Sequence, residues 1–167
     1  MFGLAKAMSS AGRAEEANQL TAAVMTRINT TDAMRDVINI LARTGAEPGM
    51  AQKLGFVTAW RVAGPFPWNM ADAFTKNNIG EPNVDLAASY PVEDKTISWK
   101  EMNTPALNGV VDLMGGIGTY DHVCAYAAAK ISVPEPCDAV VRTGSDDGIK
   151  VWVNGQAALE NNTDRGM

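Results

Sequence analysis

Several things are scarce in this chain, and each scarcity removes a class of function. Over 167 residues with a net charge of −5, the 14 Lys and Arg gather nowhere into a cluster longer than a residue or two. A positive face for nucleic acid or for an anionic bilayer is therefore not expected. No apolar run approaches the roughly 18 residues that a membrane helix needs. Histidine occurs once, as His122, and cysteine twice, as Cys124 and Cys137. A lone histidine makes no zinc site without Cys or carboxylate partners at ligand spacing. Two thiols without a CxxC spacing do not define a redox compartment. As strand residues they are expected to be small buried hydrophobes and free thiols, although adjacent strands could pair them. There is no P-loop and no GxSxG elbow, and Gly115-Gly116-Ile117-Gly118 lacks both the dinucleotide spacing and a following helix. The N-terminus has none of the three parts of a signal peptide. The chain begins inside a helical pattern and stops in a polar loop, residues 161–167, so it reads as cut at both ends. A missing leader says nothing about such a piece.

What is present is a globular composition, 46% hydrophobic and 20% charged, in a chain long enough to bury a core. Its organising stretch is Gly144-Ser145-Asp146-Asp147-Gly148-Ile149-Lys150-Val151-Trp152-Val153-Asn154-Gly155. Asp146-Asp147-Gly148 is a tight-turn signal. Ile149, Val151 and Val153 alternate with Lys150 and Trp152, the period of a strand with one buried face. Asn154-Gly155 is the preferred pair for a two-residue hairpin turn, with a return strand over 156–159. A β-rich run at 139–143 lies just upstream, so two hairpins are expected to meet in the middle of an antiparallel sheet.

Residues 13–45 read as two amphipathic helices. Ala17, Leu20, Val24 and Ile28 share one face, as do Met34, Val37, Ile38 and Leu41. Thr30, Thr31 and Asp32 are N-cap candidates, while Gly45 and Pro48 supply a stop. The short connection predicts an antiparallel hairpin, which needs neighbours to cover its apolar face. A partial helix at 4–8 and a short one at 50–54 flank it. From residue 58 the texture changes to short β-rich runs between turns: 58–63, 96–101, 110–113, 123–133, 139–143, 149–153 and 156–159. Such a series predicts an all-β sandwich or barrel. Between 67 and 95 there is little periodicity, with Val84-Asp85-Leu86 as a candidate edge strand. Gly64-Pro65-Phe66-Pro67 is expected to take the chain out of the sheet, because two prolines cannot donate to a ladder. Phe66 then packs inward as a plug; its other reading is an aromatic platform for sugar.

The string GSDDGIKVWVNG resembles the central hairpin of galactose-binding, jelly-roll modules. Similar strings occur in the sugar-binding domain of family 2 glycoside hydrolases and in the protective-antigen-type lectin-like module. With GFVTAWRVAGPFP at 55–67 and CAYAAAKISVP at 124–134, the order of motifs resembles a module of large multidomain bacterial proteins, typical of planctomycetes, where it often follows helical repeats. The helical part is similar to the end of a HEAT-like repeat array. The resemblance implies a mainly β fold: an antiparallel jelly-roll β-sandwich over 55–167, truncated at its C-terminus, behind an α-helical hairpin over 1–54. It also implies an extracytoplasmic setting.

Asp146 and Asp147 offer adjacent carboxylate oxygens suited to calcium, the one cofactor this sequence suggests, with none required. In the lectin-like modules an Asp-Asp pair holds calcium that in turn holds sugar. The competing reading is that the pair serves only the turn. Trp152, on the face of Lys150, is either a stacking surface for a sugar ring or packing covered by the 67–95 loop. Trp60 and Trp99 are expected in the core, and Trp68 is open to either role. Glycosidases need two carboxylates across a cleft, and no partner for the Asp146–Asp147 pair is marked, so catalysis is not expected. The leading expectation is a non-catalytic carbohydrate-binding module with Asp146, Asp147, Trp152 and Asn154 at its site, attached to other domains of its polypeptide. The alternative is a structural or protein–protein interaction domain that packs a helical array against its neighbours.

Overall fold

The computed structural model describes residues 2–24, 30–45, 48–69, 74–104 and 106–163, without the side chains of Phe2, Leu4, Lys6, Ala22 and Val24. Expectations for Leu4, Val24, Ile28 and the end of the 161–167 loop lie outside this description. The chain divides into two compact units, Met1–Ala59 with Asn103–Val111, and Trp60–Met102 with Asp112–Met167.

The first unit is helical: α1 (Phe2–Ser10), α2 (Ala14–Val24), α3 (Thr31–Thr44) and α4 (Met50–Lys53). Thr30 caps α3 by accepting a hydrogen bond from Ala33 N at 3.2 Å, and Gly45 closes it at φ 81°, which a glycine adopts without a Cβ penalty. Asn18 of α2 donates to Gly45 O at 3.0 Å and also meets the Thr44 hydroxyl. That ties the early part of α2 to the end of α3, as antiparallel neighbours require. The periodicity of α3 sorts its apolar residues onto two sides. Ile40 packs with Ala5 and Ala17, whereas Val37 and Leu41 pack with Met50 and Leu54. Phe56 and Leu107 complete the second cluster. Gly109, at φ 68°, sits beneath the Phe56 ring, where a Cβ would collide with it.

The second unit holds β1 (Ala59–Pro67), β2 (Ser89–Val92), β3 (Lys95–Ser98), β4 (Lys100–Asn103), α5 (Leu113–Ile117), β5 (Val123–Ala128), β6 (Ile149–Val153) and β7 (Gln156–Asn161). The terminal residues Ala59 and Asn103 of β1 and β4 fall in the first unit. Helix and strand each make up 26% of the structure. Among the described residues the strands form three separate sheets, β4-β1-β5, β2-β3 and β6-β7, and no closed sandwich. The pairings of β1 with β5, β2 with β3 and β6 with β7 are antiparallel.

Contrary to expectation, β1 does not leave the sheet at Gly64-Pro65-Phe66-Pro67. The register runs Ala63↔Tyr126 and then Phe66↔Cys124, so Gly64 and Pro65 face the single residue Ala125. This is a β-bulge, one of the few places where a sheet tolerates a residue that cannot donate. Pro67 stands at the strand's end, where the loss is equally small. The extra residue resets the alternation, so Phe66 falls on the side of Ala63. There Phe66 is 1% exposed, within a core of Ala63, Ile79 and Ile97 ringed by Tyr90, Trp99, Cys124 and Tyr126. Tyr126 and Tyr90 meet the Phe66 ring edge-on, at 5.4 and 6.0 Å between centroids. Phe66 is the inward plug of the sequence reading.

Other strand expectations are corrected. The run at 96–101 is broken at Trp99 into β3 and β4. Residues 84–86 form no strand, because the Asp85 carboxylate accepts from Ala87 N at 2.8 Å and turns the chain; the strand lies later, at Ser89–Val92. Residues 110–113 lead into α5 instead, where Asp112 caps Gly115 N at 3.0 Å. Gly115, Gly116 and Ile117 are therefore helical. β5 ends at Ala128, and residues 129–133 and 139–143 carry no strand. Val140 is 80% exposed. With no partner at 139–143, the β6-β7 hairpin is not joined there to a larger sheet.

Candidate functional site

The hairpin that organises the sequence is the clearest site-bearing element of the second unit. Asn154 and Gly155 both take positive φ, 51° and 77°, the signature of a type I′ turn. It joins Val153 to Gln156 in register. Further along, the pairing shifts from Val151↔Leu159 to Trp152↔Ala157, which leaves Ala158 as an extra residue on β7.

Alternation places Lys150 and Trp152 on one face and Ile149, Val151 and Val153 on the other. The Lys150 ammonium lies over the Trp152 ring, 5.4 Å from its centroid. It pairs with the cross-strand carboxylate of Glu160 at 2.9 Å and donates to the Phe74 carbonyl at 3.3 Å. A half-buried cation over an indole contributes about 0.5–1 kcal/mol. The partly exposed ion pair adds about 0–1 kcal/mol. Trp152 is partly buried, held beside a charged pair rather than sealed in a core.

Asp146 and Asp147 are exposed on the bend before β6, and Asn154 is exposed at the hairpin tip. Seven residue-to-residue steps of near-extended chain carry Asp147 to Asn154, about 23 Å at the strand rise. The four sequence-selected residues thus span the length of β6 and do not converge on one point. Among the described residues, no group of three or more His, Cys, Asp and Glu gathers to hold a metal ion. The aspartate pair would supply at most part of the six to eight oxygens calcium takes.

A second polar cluster was not singled out by the sequence. Tyr126 OH donates to Glu81 Oε1 at 3.0 Å and accepts from Asn78 Nδ2 at 3.1 Å. Asn78 Nδ2 also reaches Cys124 Sγ at 3.6 Å, and Glu81 Oε2 accepts from Ile79 N at 3.3 Å. Burial and then the Glu81 charge push the Tyr126 phenol well above its ordinary range, against the pull of the Asn78 bond. Burial, with Glu81 behind it, also pushes the Cys124 thiol up. Every polar group here has a partner, so the cluster pins the 77–83 loop to β5. The one sequence signal was Ile79, isolated in the polar string Asn77-Asn78-Ile79-Gly80-Glu81-Pro82-Asn83; it is 5% exposed.

Both cysteines are free thiols. Cys124 is half-buried in β5, but Cys137 is exposed and in no strand, contrary to the expectation of a buried strand residue. His122 is exposed, precedes β5 at φ 54°, and its carbonyl accepts from Trp68 N at 3.0 Å. Trp99 packs against the Phe66 core and donates to Tyr90 OH at 3.3 Å, while Trp60 and Trp68 are partly buried. No described helix is long and apolar enough to cross a membrane. No family model, curated protein or solved structure matches the chain.

Proposed function

We propose that the second unit is a non-catalytic carbohydrate-binding module of a larger multidomain protein, built on a galactose-binding-like jelly-roll plan. The observation that carries this reading is the Lys150–Trp152–Glu160 face: a partly exposed indole with a cation and a carboxylate beside it. An apolar plane flanked by hydrogen-bonding groups complements a sugar ring, whose C–H face stacks while its hydroxyls bond. Because Asp146, Asp147, Trp152 and Asn154 extend along β6, the ligand is an oligosaccharide lying along the hairpin rather than a single sugar. Calcium at Asp146 and Asp147 would anchor one end of it. The helical unit, as the end of a HEAT-like array, would hold the module to its neighbours.

A second reading, a structural or protein–protein interaction domain, is favoured by one observation. Ile131, Val133, Val140, Val141, Val153 and Leu159 are all large apolar residues left exposed, and such surface marks interaction sites when contiguous. A glycan array with a parallel thermal-shift titration in CaCl₂ and in EDTA separates the two. Glycan signal lost in Trp152→Ala, whose fold is checked by circular dichroism, supports the first. A calcium-dependent rise in Tm, absent from Asp147→Ala, adds the metal by mass action. No glycan signal from the folded chain overturns the carbohydrate reading.

A further inference from the structure

The chain contains two Asn-Gly pairs, Asn108-Gly109 and Asn154-Gly155, and the fold treats them differently. Asn-Gly is the pair most open to intramolecular attack, because glycine leaves its own backbone nitrogen unhindered. Attack needs that nitrogen free of a hydrogen bond and the asparagine side chain free to swing onto it.

At Asn108 neither condition holds. Gly109 N donates to Ala106 O at 3.1 Å, and Asn108 Oδ1 accepts from Val110 N at 3.2 Å. Gly109 is also packed beneath the Phe56 ring. At Asn154 both conditions hold. The ladder pairs Val153 with Gln156 around a two-residue turn, and among the described residues no backbone carbonyl accepts from Gly155 N. Among the described residues no hydrogen bond holds the exposed Asn154 side chain. The I′ conformation itself must open before the atoms meet. A tip of a two-stranded sheet opens at low free energy, since few buried contacts oppose it.

We propose that Asn154 is a site of spontaneous backbone-assisted deamidation and that Asn108 is protected from it. Gly155 N attacks Asn154 Cγ, the new C–N bond closes a succinimide, and the Cγ–Nδ2 bond breaks with release of ammonia. Water then opens the ring at either carbonyl, giving aspartate or isoaspartate; nothing is oxidised or reduced. The aspartate product keeps the hairpin and adds one negative charge to its tip. The isoaspartate product inserts a methylene into the main chain, which the Val153↔Gln156 register cannot absorb. The lengthened turn then slips the hairpin that carries Lys150 over Trp152. This inference stands whether or not the hairpin binds carbohydrate.

The test is to age the whole chain in warm, mildly alkaline buffer and follow both Asn-Gly peptides by tandem mass spectrometry, with isoaspartate-specific methylation as a second readout. The native chain is expected to convert Asn154 several-fold faster than Asn108. In strong denaturant the two rates should draw together, because only the fold distinguishes them. Asn154→Gln should abolish conversion at the hairpin and leave Asn108 as slow as before. Native Asn108 converting as fast as Asn154, an unchanged Asn154, or the same rate ratio in denaturant would each overturn the proposal.

Discussion

Cys124 and Cys137 carry the same group in opposite surroundings, and the difference is chemical as well as steric. Cys124 lies against the Phe66 core, where burial and the nearby Glu81 carboxylate both disfavour its thiolate. The thiolate is the reactive form. A maleimide pulse on the native chain should therefore label Cys137 rapidly and Cys124 only on unfolding, as read by peptide mass spectrometry; equal labelling of the two would refute the placement. Tyr126 gives a second residue-scale expectation. Its folded pKa is raised, so both states are protonated below about pH 10 and stability there is unaffected. Above that the unfolded chain ionises while the folded phenol holds its proton, and stability falls as pH rises. Tyr126→Phe should remove this alkaline decline. It should also lower stability at neutral pH by about 1–3 kcal/mol, since it leaves Glu81 and Asn78 each short of a partner. Urea midpoints of both proteins across the alkaline range decide the matter: parallel declines would show that Tyr126 is not the titrating group.

At the scale of elements, the parts legible in the sequence were those with local causes. Thr30 at the start of α3, Gly45 at its end and Asn154-Gly155 between β6 and β7 each act within a few residues. Their chemistry names the element without knowledge of the rest. Thr30→Ala should accordingly destabilise the helical unit by about 0.5–2 kcal/mol, visible as an earlier loss of helical circular dichroism; no change would mean the cap bond is idle. What the sequence hid depends on partners far along the chain. The bulge that keeps β1 in its sheet is defined by Ala125 opposite Gly64 and Pro65. β2 contains Pro91 and turns into β3 through Glu93-Asp94, with neither glycine nor asparagine to announce a hairpin. Conversely, 139–143 has the composition of a strand but pairs with none of the described strands. The Glu81–Tyr126–Asn78 cluster was hidden for the same reason, since Tyr126 stands more than forty residues from both Asn78 and Glu81. At the candidate site the order of β6 was readable, and so was the sharing of one face by Lys150 and Trp152. The cross-strand Glu160 and the distant Phe74 carbonyl that fix Lys150 there were not.

At the scale of the whole molecule, the chain passes between its two units more than once. Residues 55–59 and 103–111 belong with the helices, where Phe56 and Leu107 close the cluster of Val37, Leu41, Met50 and Leu54. The helical unit is therefore not finished by its helices alone. The four tryptophans, Trp60, Trp68, Trp99 and Trp152, all fall in the second unit, whereas the long helices α1 to α3 fall in the first. Two optical probes thus report two different units of the same chain. Leu107→Ala removes a half-buried side chain, for which a loss of about 1–2 kcal/mol is expected, less than for a fully buried leucine. It should lower the melting temperature read by helical circular dichroism and leave the tryptophan fluorescence transition nearly in place. Phe66→Ala empties the centre of the second core, with an expected loss of about 3–5 kcal/mol, and should move the fluorescence transition further than the helical one. If both substitutions shift both transitions equally, the chain unfolds as a single cooperative body, and the division at residues 59–60, 102–103 and 111–112 describes shape without describing stability.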